Sequence, residues 1–440
     1  MSKLTTLKDT LSLTADWLQL ELSRKRSRLE ATPGVARRHL ALFAWALPPN
    51  SNAGVHRLLS FLRYGAVRGW RIDAFQGETP VNQSEHGAEL LSRVPKEVRL
   101  HVVPDAVRQP SHRFFPRIDG GFNNALAHAH HAIRQLLRDP PDVVLASGPP
   151  FFVFVSALLV ARRFDVPLVL DYRDEWTECP FDFVAGGNYD RYWERRCLSE
   201  ADAVLFTTGS HLRHQLAKFP QLTAERAHLV PNGWEPDDFA DHAEAPPTSP
   251  GAYSRMRLAH VGNLAGHTPP DEFLTSLEQL LNDEPQWRDR LLVELIGRRS
   301  PAADTAIRGF QFQANLEVVD HVSKREATKR MLDSDALLLI STPDLERYLP
   351  GKLFDYIAAR KPVLVFGSRG ESSDLLLELG SGLLCAPGSG RLLGACLESL
   401  GQLDLSMREE RLGVWLQRHR RDKLATQAFS IIESLTDRAP

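Results

Sequence analysis

Three clusters along the 440-residue chain combine residue types and spacings that could do chemistry. In PGKLFDYIAARKP, Pro350 to Pro362, a Pro-Gly pair opens a helical pattern and leaves backbone N–H groups free at its start, with Lys352 beside them. Those partial positive charges and an ammonium together suit a diphosphate. Asp355, three residues on and on the same helical face, can accept two hydrogen bonds from a ribose diol. Asp344, Glu346 and Arg347 stand just upstream, and an ordinary helix with an acidic first turn would read the same way. In the second cluster, Asp171 to Trp176 (DYRDEW), charges crowd the end of a strand whose interior is Leu168 to Leu170. Charges in such a place are exposed, paired in a salt-bridge cluster, or functional. The third, Pro48 to Gly54 (PPNSNAG), is a small-residue turn feeding a helix, which exposes N–H groups to a phosphate. It lacks the regular glycine spacing of a dinucleotide fingerprint, and a plain turn has the same composition.

Other chemistries find little support. His128, His130 and His131 sit together, but alternate and adjacent positions do not share a helical face, so a solvated helix is the reading and not a metal site. Cys179, Cys197, Cys385 and Cys396 form neither CxxC pairs nor a disulfide framework, which fits a reducing compartment. No GxSxG or HExxH is present, removing the usual serine hydrolase and zinc protease cases. No metal or resident cofactor is expected. A formal charge of −2, with no aromatic platform among the basic segments, argues against nucleic acid.

These clusters need a scaffold that gathers strand ends and helix starts. His39 to Leu47 is an apolar run that reads as a buried strand, followed by the turn and the amphipathic VHRLLSFLRYGAVRGW. Further strands are expected at 71–75, 100–104, 142–146, 166–171, 203–207 and 228–230, with helices over 123–138 and from Pro150. Pro236 to Ser254 has no periodicity and reads as a linker. Beyond it the alternation restarts, with strands at 256–261, 291–297, 316–319, 336–340 and 363–366 and helices from Asp271, Lys324 and Lys352. Near-continuous apolar strands alternating with helices predict parallel sheets covered on both faces. The expected fold is α/β, two Rossmann-like parallel-sheet domains facing a cleft. Its parts are an N-terminal amphipathic helix within 1–38, a first domain over 39–235, the linker 236–254, a second domain over 255–405 and closing helices over 406–440. In such sheets ligands bind beyond the carboxyl ends of the strands.

Hydrophobic residues at 43% and charged residues at 25% describe a globular protein with a large core and exclude disordered and fibrous classes. Residues 1–138 carry 20 Lys and Arg against 11 Asp and Glu, so the N-terminal third is basic. Leu7, Leu11, Trp17, Leu18 and Leu22 lie ahead of Arg24, Lys25, Arg26 and Arg28 in an amphipathic pattern. Such a helix either packs on the domain or lies on an anionic membrane surface. The longest apolar run, Phe151 to Ala161, has eleven residues, too short to span a bilayer. A cytoplasmic protein, or one peripheral on the inner face of the cytoplasmic membrane, is therefore expected.

In order and spacing, the motifs PPNSNAGVHRLLSFLRYGAVRGW, DVVLASGPP, VPLVLDYRDEW, ADAVLFTTGS, VPNGWEPDDF, AHVGNLAG, ELIGRR and PGKLFDYIAARKPVLVFG resemble bacterial GT-B glycosyltransferases close to glycosyltransferase family 4. The resemblance spans residues 39 to 420. It implies an enzyme that transfers a sugar from a nucleotide-diphosphate donor, expected to be UDP-linked, to a glycan or polyprenyl-linked acceptor in bacterial surface polysaccharide synthesis, with retention. It also implies roles. Asp355 stands at the second acid of the family's spaced pair, which holds the donor ribose, while Gly351, Lys352 and Leu353 meet the diphosphate. Gly262 and Asn263 mark the first C-terminal loop, Arg298 lies near the base, and Gly54 matches the N-terminal phosphate-facing glycine. Arg173 and Asp174 match the cleft-facing His-Asp pair of many relatives and are the catalytic candidates. The sequence departs from the pattern in three places. The first acid falls on Arg347, with Glu346 one residue early; GNLAGH lacks the usual basic pair; and Arg173 replaces a histidine and cannot be a base. An epimerase or hydrolase on the same fold, and a non-catalytic nucleotide-sugar scaffold, are the alternatives these departures leave open.

Overall fold

A computed structural model describes residues 38–78, 85–105, 116–240, 255–403 and 409–437, together with Ala15, Trp17 and Leu18. The expected amphipathic helix at the N-terminus and most of the expected linker lie outside these residues. The chain divides into two compact units, one running to Pro231 and resumed from Leu424, the other spanning Asn232 to Lys423. The division thus falls ahead of the aperiodic stretch, because Trp234 donates its indole N–H to Leu416 O at 2.8 Å and Asp237–Ala240 forms a short helix within the second unit.

The first unit is built on seven parallel strands, β1 (His39–Ala44), β2 (Arg71–Gly77), β3 (Val98–Val103), β4 (Val143–Gly148), β5 (Leu168–Tyr172), β6 (Ala203–Phe206) and β7 (Ala227–Leu229), in the order β3-β2-β1-β4-β5-β6-β7. Every residue of β1, β4 and β5 is buried, which is why these runs read as continuous apolar segments without alternation. The eleven-residue apolar run becomes the helix Phe152–Phe164, whose first ten residues are all buried. An interior helix of this kind needs no polar face. The final helix, Arg421–Thr436, lays Leu424, Ala425, Ala428, Phe429 and Ile432 into the core on the other side of the sheet. Of the expected closing helices, this one belongs to the first unit and Glu409–Arg418 to the second.

The second unit holds six parallel strands, β8 (Met256–Val261), β9 (Leu291–Ile296), β10 (Leu316–Val319), β11 (Ala336–Ser341), β12 (Val363–Gly367) and β13 (Gly382–Cys385), in the order β10-β9-β8-β11-β12-β13. Cores on its two faces are led by Leu258, Leu277, Leu280 and Leu338, and by Ala259, Leu337, Tyr356 and Ile357. In each sheet the chain direction of the crossovers reverses between two central strands, β1 and β4 in one and β8 and β11 in the other. That switch point is where loops diverge and a ligand can enter. It locates the loops after β1, β4, β8 and β11 as the places where chemistry belongs.

Candidate active site

In the first unit the switch-point loops converge on Arg173. Its Nε donates to Gly148 O at 3.1 Å and its Nη2 to Pro149 O, so the guanidinium is fastened to the loop after β4. Its Nη1 lies 1.5 Å from where a Cβ on Gly54 would stand, so the glycine is what admits the arginine. Gly54 is the second residue of the helix Ala53–Val67, whose N-cap, Asn52, makes no side-chain cap.

Around this point DYRDEW is sorted residue by residue. Asp171 is fully buried and takes a bidentate bond from Arg57, Nη2 to Oδ1 at 2.7 Å and Nε to Oδ2 at 3.1 Å, with Ser147 Oγ donating to Oδ2 at 2.7 Å. Arg57 Nη1 also donates to Pro231 O at 2.8 Å. This pair is structural, pinning the helix Ala53–Val67 to the end of β5. Glu175 is buried as well, and Trp176 stacks on Phe151 with ring centroids 5.2 Å apart. Of the three acids, Asp174 alone stays half-buried, with no hydrogen-bond partner among the described residues. Burial pushes its carboxyl up to about 6 against the pull of Arg173, with Glu175 and Asp171 adding to the rise. A carboxyl that ionises near neutrality and is free to bind a hydroxyl is a suitable general base or acceptor anchor.

In the second unit β8 is followed by Gly262, at φ 142°, which L side chains avoid. A Cβ there would also meet Lys352 Nζ at 3.1 Å. Lys352 is the second residue of the helix Gly351–Ala358, whose N-cap is Pro350 and carries no side-chain cap, so free N–H groups and the amine share one place. The amine donates to His260 Nε2 at 3.2 Å and meets no carboxylate among the described residues. Burial lowers its pKa to about 7. Tyr356 ties this helix to β8 by accepting from Val261 N at 2.7 Å.

The remaining expected residues are distributed more loosely. Asp355 is 8% exposed and its Oδ2 accepts from Lys324 Nζ at 2.6 Å, leaving the buried Oδ1 without a partner among the described residues. Arg298 is exposed, with no side-chain partner among the described residues, and Asn263 is exposed beside Gly262. Glu346 and Arg347 approach one another at 3.6 Å near the surface. Leu353 is fully buried and contributes packing. The solvated histidine face is corrected in part, because His128 is wholly buried against Phe152, centroids 5.0 Å apart, while His130 and His131 are half-buried. The helix Phe122–Leu136 packs two sides, so one of three neighbouring positions must point inward. Sequence reading passed over His260, Lys324, Arg57 and Ser147. A histidine inside the apolar run of β8 and an arginine on the apolar face of VHRLLSFL were the available signals.

Residues 52–233 match the family described as glycosyl transferase 4-like domain. No curated protein matches the chain significantly in sequence. Solved structures do match in fold. Sucrose-phosphate synthase from Thermosynechococcus elongatus has a TM-score of 0.66 at 12% identity, over 92% of this chain and 100% of that one. An Escherichia coli trehalose-6-phosphate structure bound with UDP-2-fluoro glucose scores 0.63 at 15% identity, over 91% and 100%. WaaG, a glycosyltransferase involved in lipopolysaccharide biosynthesis, scores 0.61 at 16% identity, over 89% and 99%. The family match and the two-sheet fold support a glycosyltransferase of the GT-B type resembling family 4.

Proposed function

We propose that the protein transfers a sugar from a nucleoside-diphosphate donor, UDP-linked, to a glycan or polyprenyl-linked acceptor in bacterial surface polysaccharide synthesis. The observation that carries the donor assignment is Lys352, an amine that meets no carboxylate among the described residues, set beside Gly262 at an uncapped helix start. A diphosphate supplies the charge that this place lacks. Arg298, Asn263 and Gly351 extend the same site, and Lys324 with Asp355 stands beside the ribose. UDP-2-fluoro glucose bound in one fold neighbour and the involvement of WaaG in lipopolysaccharide biosynthesis support the choice of donor and pathway.

In this reading the acceptor oxygen forms a bond to the anomeric carbon as the bond to the diphosphate oxygen breaks. Helix N–H groups and Lys352 stabilise the charge growing on the leaving group. Transfer proceeds with retention, the departing phosphate oxygen taking the acceptor proton, while Asp174 orients the hydroxyl and Arg173 and Gly54 shape its loop. The protein works in the cytoplasm at the inner membrane face, where the basic N-terminal third meets anionic lipid. Among the described residues no helix is long and apolar enough to cross a membrane.

Calorimetry with UDP, GDP, ADP and CMP, on the wild type and Lys352→Met, tests the donor site. One diphosphate should bind tightly and lose about 10- to 100-fold in affinity in the variant, as expected for a lost charge-assisted contact. Binding that ignores Lys352 refutes the assignment, and binding without transfer to any acceptor moves the scaffold reading ahead. An inverted anomer in the product by NMR rules out retention and makes Asp174 the base. Liposome flotation with and without residues 1–30 tests the membrane role, and equal recovery in the soluble fraction removes it.

A further inference from the structure

The amine of Lys352 is held by an unusual partner. His260 is fully buried in β8, and its Nδ1 lies 3.1 Å from Leu338 O on β11. A carbonyl only accepts, and of the two backbone carbonyls that act on the ring, those of Leu338 and Asn263, the Leu338 oxygen is the stronger influence and the one in hydrogen-bond range, so Nδ1 carries the proton and Nε2 presents a lone pair to Lys352 Nζ. The ring cannot turn without losing the Leu338 bond, so the lone pair points along a fixed line.

We propose that His260 is the positioning residue of the diphosphate site: its Nε2 holds the Lys352 amine beside Gly262 at the start of the helix Gly351–Ala358 and yields it to a phosphate oxygen as the donor arrives. The inference rests on the donor reading above and adds a proton to it. Burial lowers Lys352 to about 7, so near neutrality a large share of the amine is uncharged. A phosphate oxygen favours the ammonium, and the missing proton enters from solvent with the donor. His260 does not take it, since burial first and the Lys352 charge second hold its ring well below the ordinary histidine value. The surrounding groups do not compete. On the helix of Lys352, Asp355 is engaged by Lys324 at 2.6 Å. Burial raises the Tyr356 phenol, which bonds the Val261 backbone and stays protonated. Holding the amine on a neutral ring keeps it from seeking a carboxylate, which would have to be displaced before a diphosphate could bind.

The test is calorimetric titration of full-length protein with UDP, GDP and ADP between pH 7.5 and 9, in pairs of buffers differing in ionisation enthalpy. Over that range the nucleotide's terminal phosphate, with a second pKa of about 6, is already ionised. For the wild type, the diphosphate that binds should take up about 0.9 proton at pH 8 and weaken roughly ten-fold per pH unit above it. His260→Gln places an amide oxygen near the Nε2 position and should stay within about three-fold of wild type, whereas His260→Phe should lose at least about ten-fold. Flat affinity with no proton uptake in the wild type overturns the proposal, and so does a folded His260→Phe that binds as the wild type does. If the phenylalanine variant fails to fold, His260→Gln decides the matter, since a folded glutamine variant that loses about ten-fold or more also overturns the proposal. Failure of all three nucleotides to bind the wild type overturns the donor reading itself.

Discussion

Replacing Gly54 by alanine sets helix propensity against tertiary packing, and the two predict opposite signs. Gly54 lies in the first turn of the helix Ala53–Val67, where alanine would ordinarily add up to about 1 kcal/mol. The new methyl, however, would stand 1.5 Å from Arg173 Nη1 and 2.8 Å from its Cζ, so the guanidinium must leave. A free arginine tip would move cheaply, but this one donates to the carbonyls of Gly148 and Pro149. Hydrogen bonds from a charged group contribute about 1.5–3 kcal/mol each, and with water replacing part of that at a half-buried site the net cost should be about 2–3 kcal/mol. Set against the propensity gain, Gly54→Ala should destabilise the fold by about 1–2 kcal/mol. Urea unfolding of the wild type, Gly54→Ala, Arg173→Ala and the double variant measures the coupling. With Arg173 already truncated, the alanine should become neutral or stabilising. A Gly54→Ala protein more stable than the wild type, with Arg173 intact, would refute the packing argument.

Other outcomes follow from the same geometry. Asp174→Asn should abolish the acid limb of the kcat/KM profile, which in the wild type should fall about ten-fold per pH unit below 6 if the ionised carboxylate engages the acceptor; an unchanged profile removes Asp174 from the reaction. Asp171→Asn leaves the buried Arg57 without its bidentate partner and should cost about 3–5 kcal/mol in unfolding experiments. For His128, burial first and His131 second lower the ring to about 3, so between pH 6.5 and 3 the unfolded chain binds a proton that the native one refuses. Stability should therefore fall with pH by up to about 1.4 kcal/mol per unit over that window. The raised carboxyls Asp119, Asp174 and Glu194 act in the opposite direction in both proteins and cancel in a comparison. His128→Leu should hold its urea midpoint better than the wild type from pH 6 to 4, and parallel curves would contradict the burial assignment.

The chemistry of the site is recognisable from sequence in kind but not in partnership. Composition and apolar runs suffice for two parallel sheets, because a strand buried on both faces must be apolar throughout. Thus β8, the helix Lys324–Asp333 and β10 fall where the sequence puts them. PGK followed by a helix is likewise enough to bring Lys352 to free N–H groups, since both belong to one turn of chain. Local spacing cannot say what lies across the sheet. Asp355 sits on the predicted helix, yet its carboxylate is taken by Lys324, thirty-one residues away. Arg173 and Asp174 are neighbours in sequence, but the loop after β4 fastens one while the other keeps a raised carboxyl with no hydrogen-bond partner among the described residues. Gly54 is a turn residue in the sequence and the floor beneath an arginine in the fold. His260, a histidine near the end of β8, gains its role only when β11 supplies the carbonyl that fixes its ring. Periodicity, capping and composition act through neighbours in the chain and so are written there. Which charge is buried, paired or left free depends on residues that meet only when parallel strands from distant segments lie side by side.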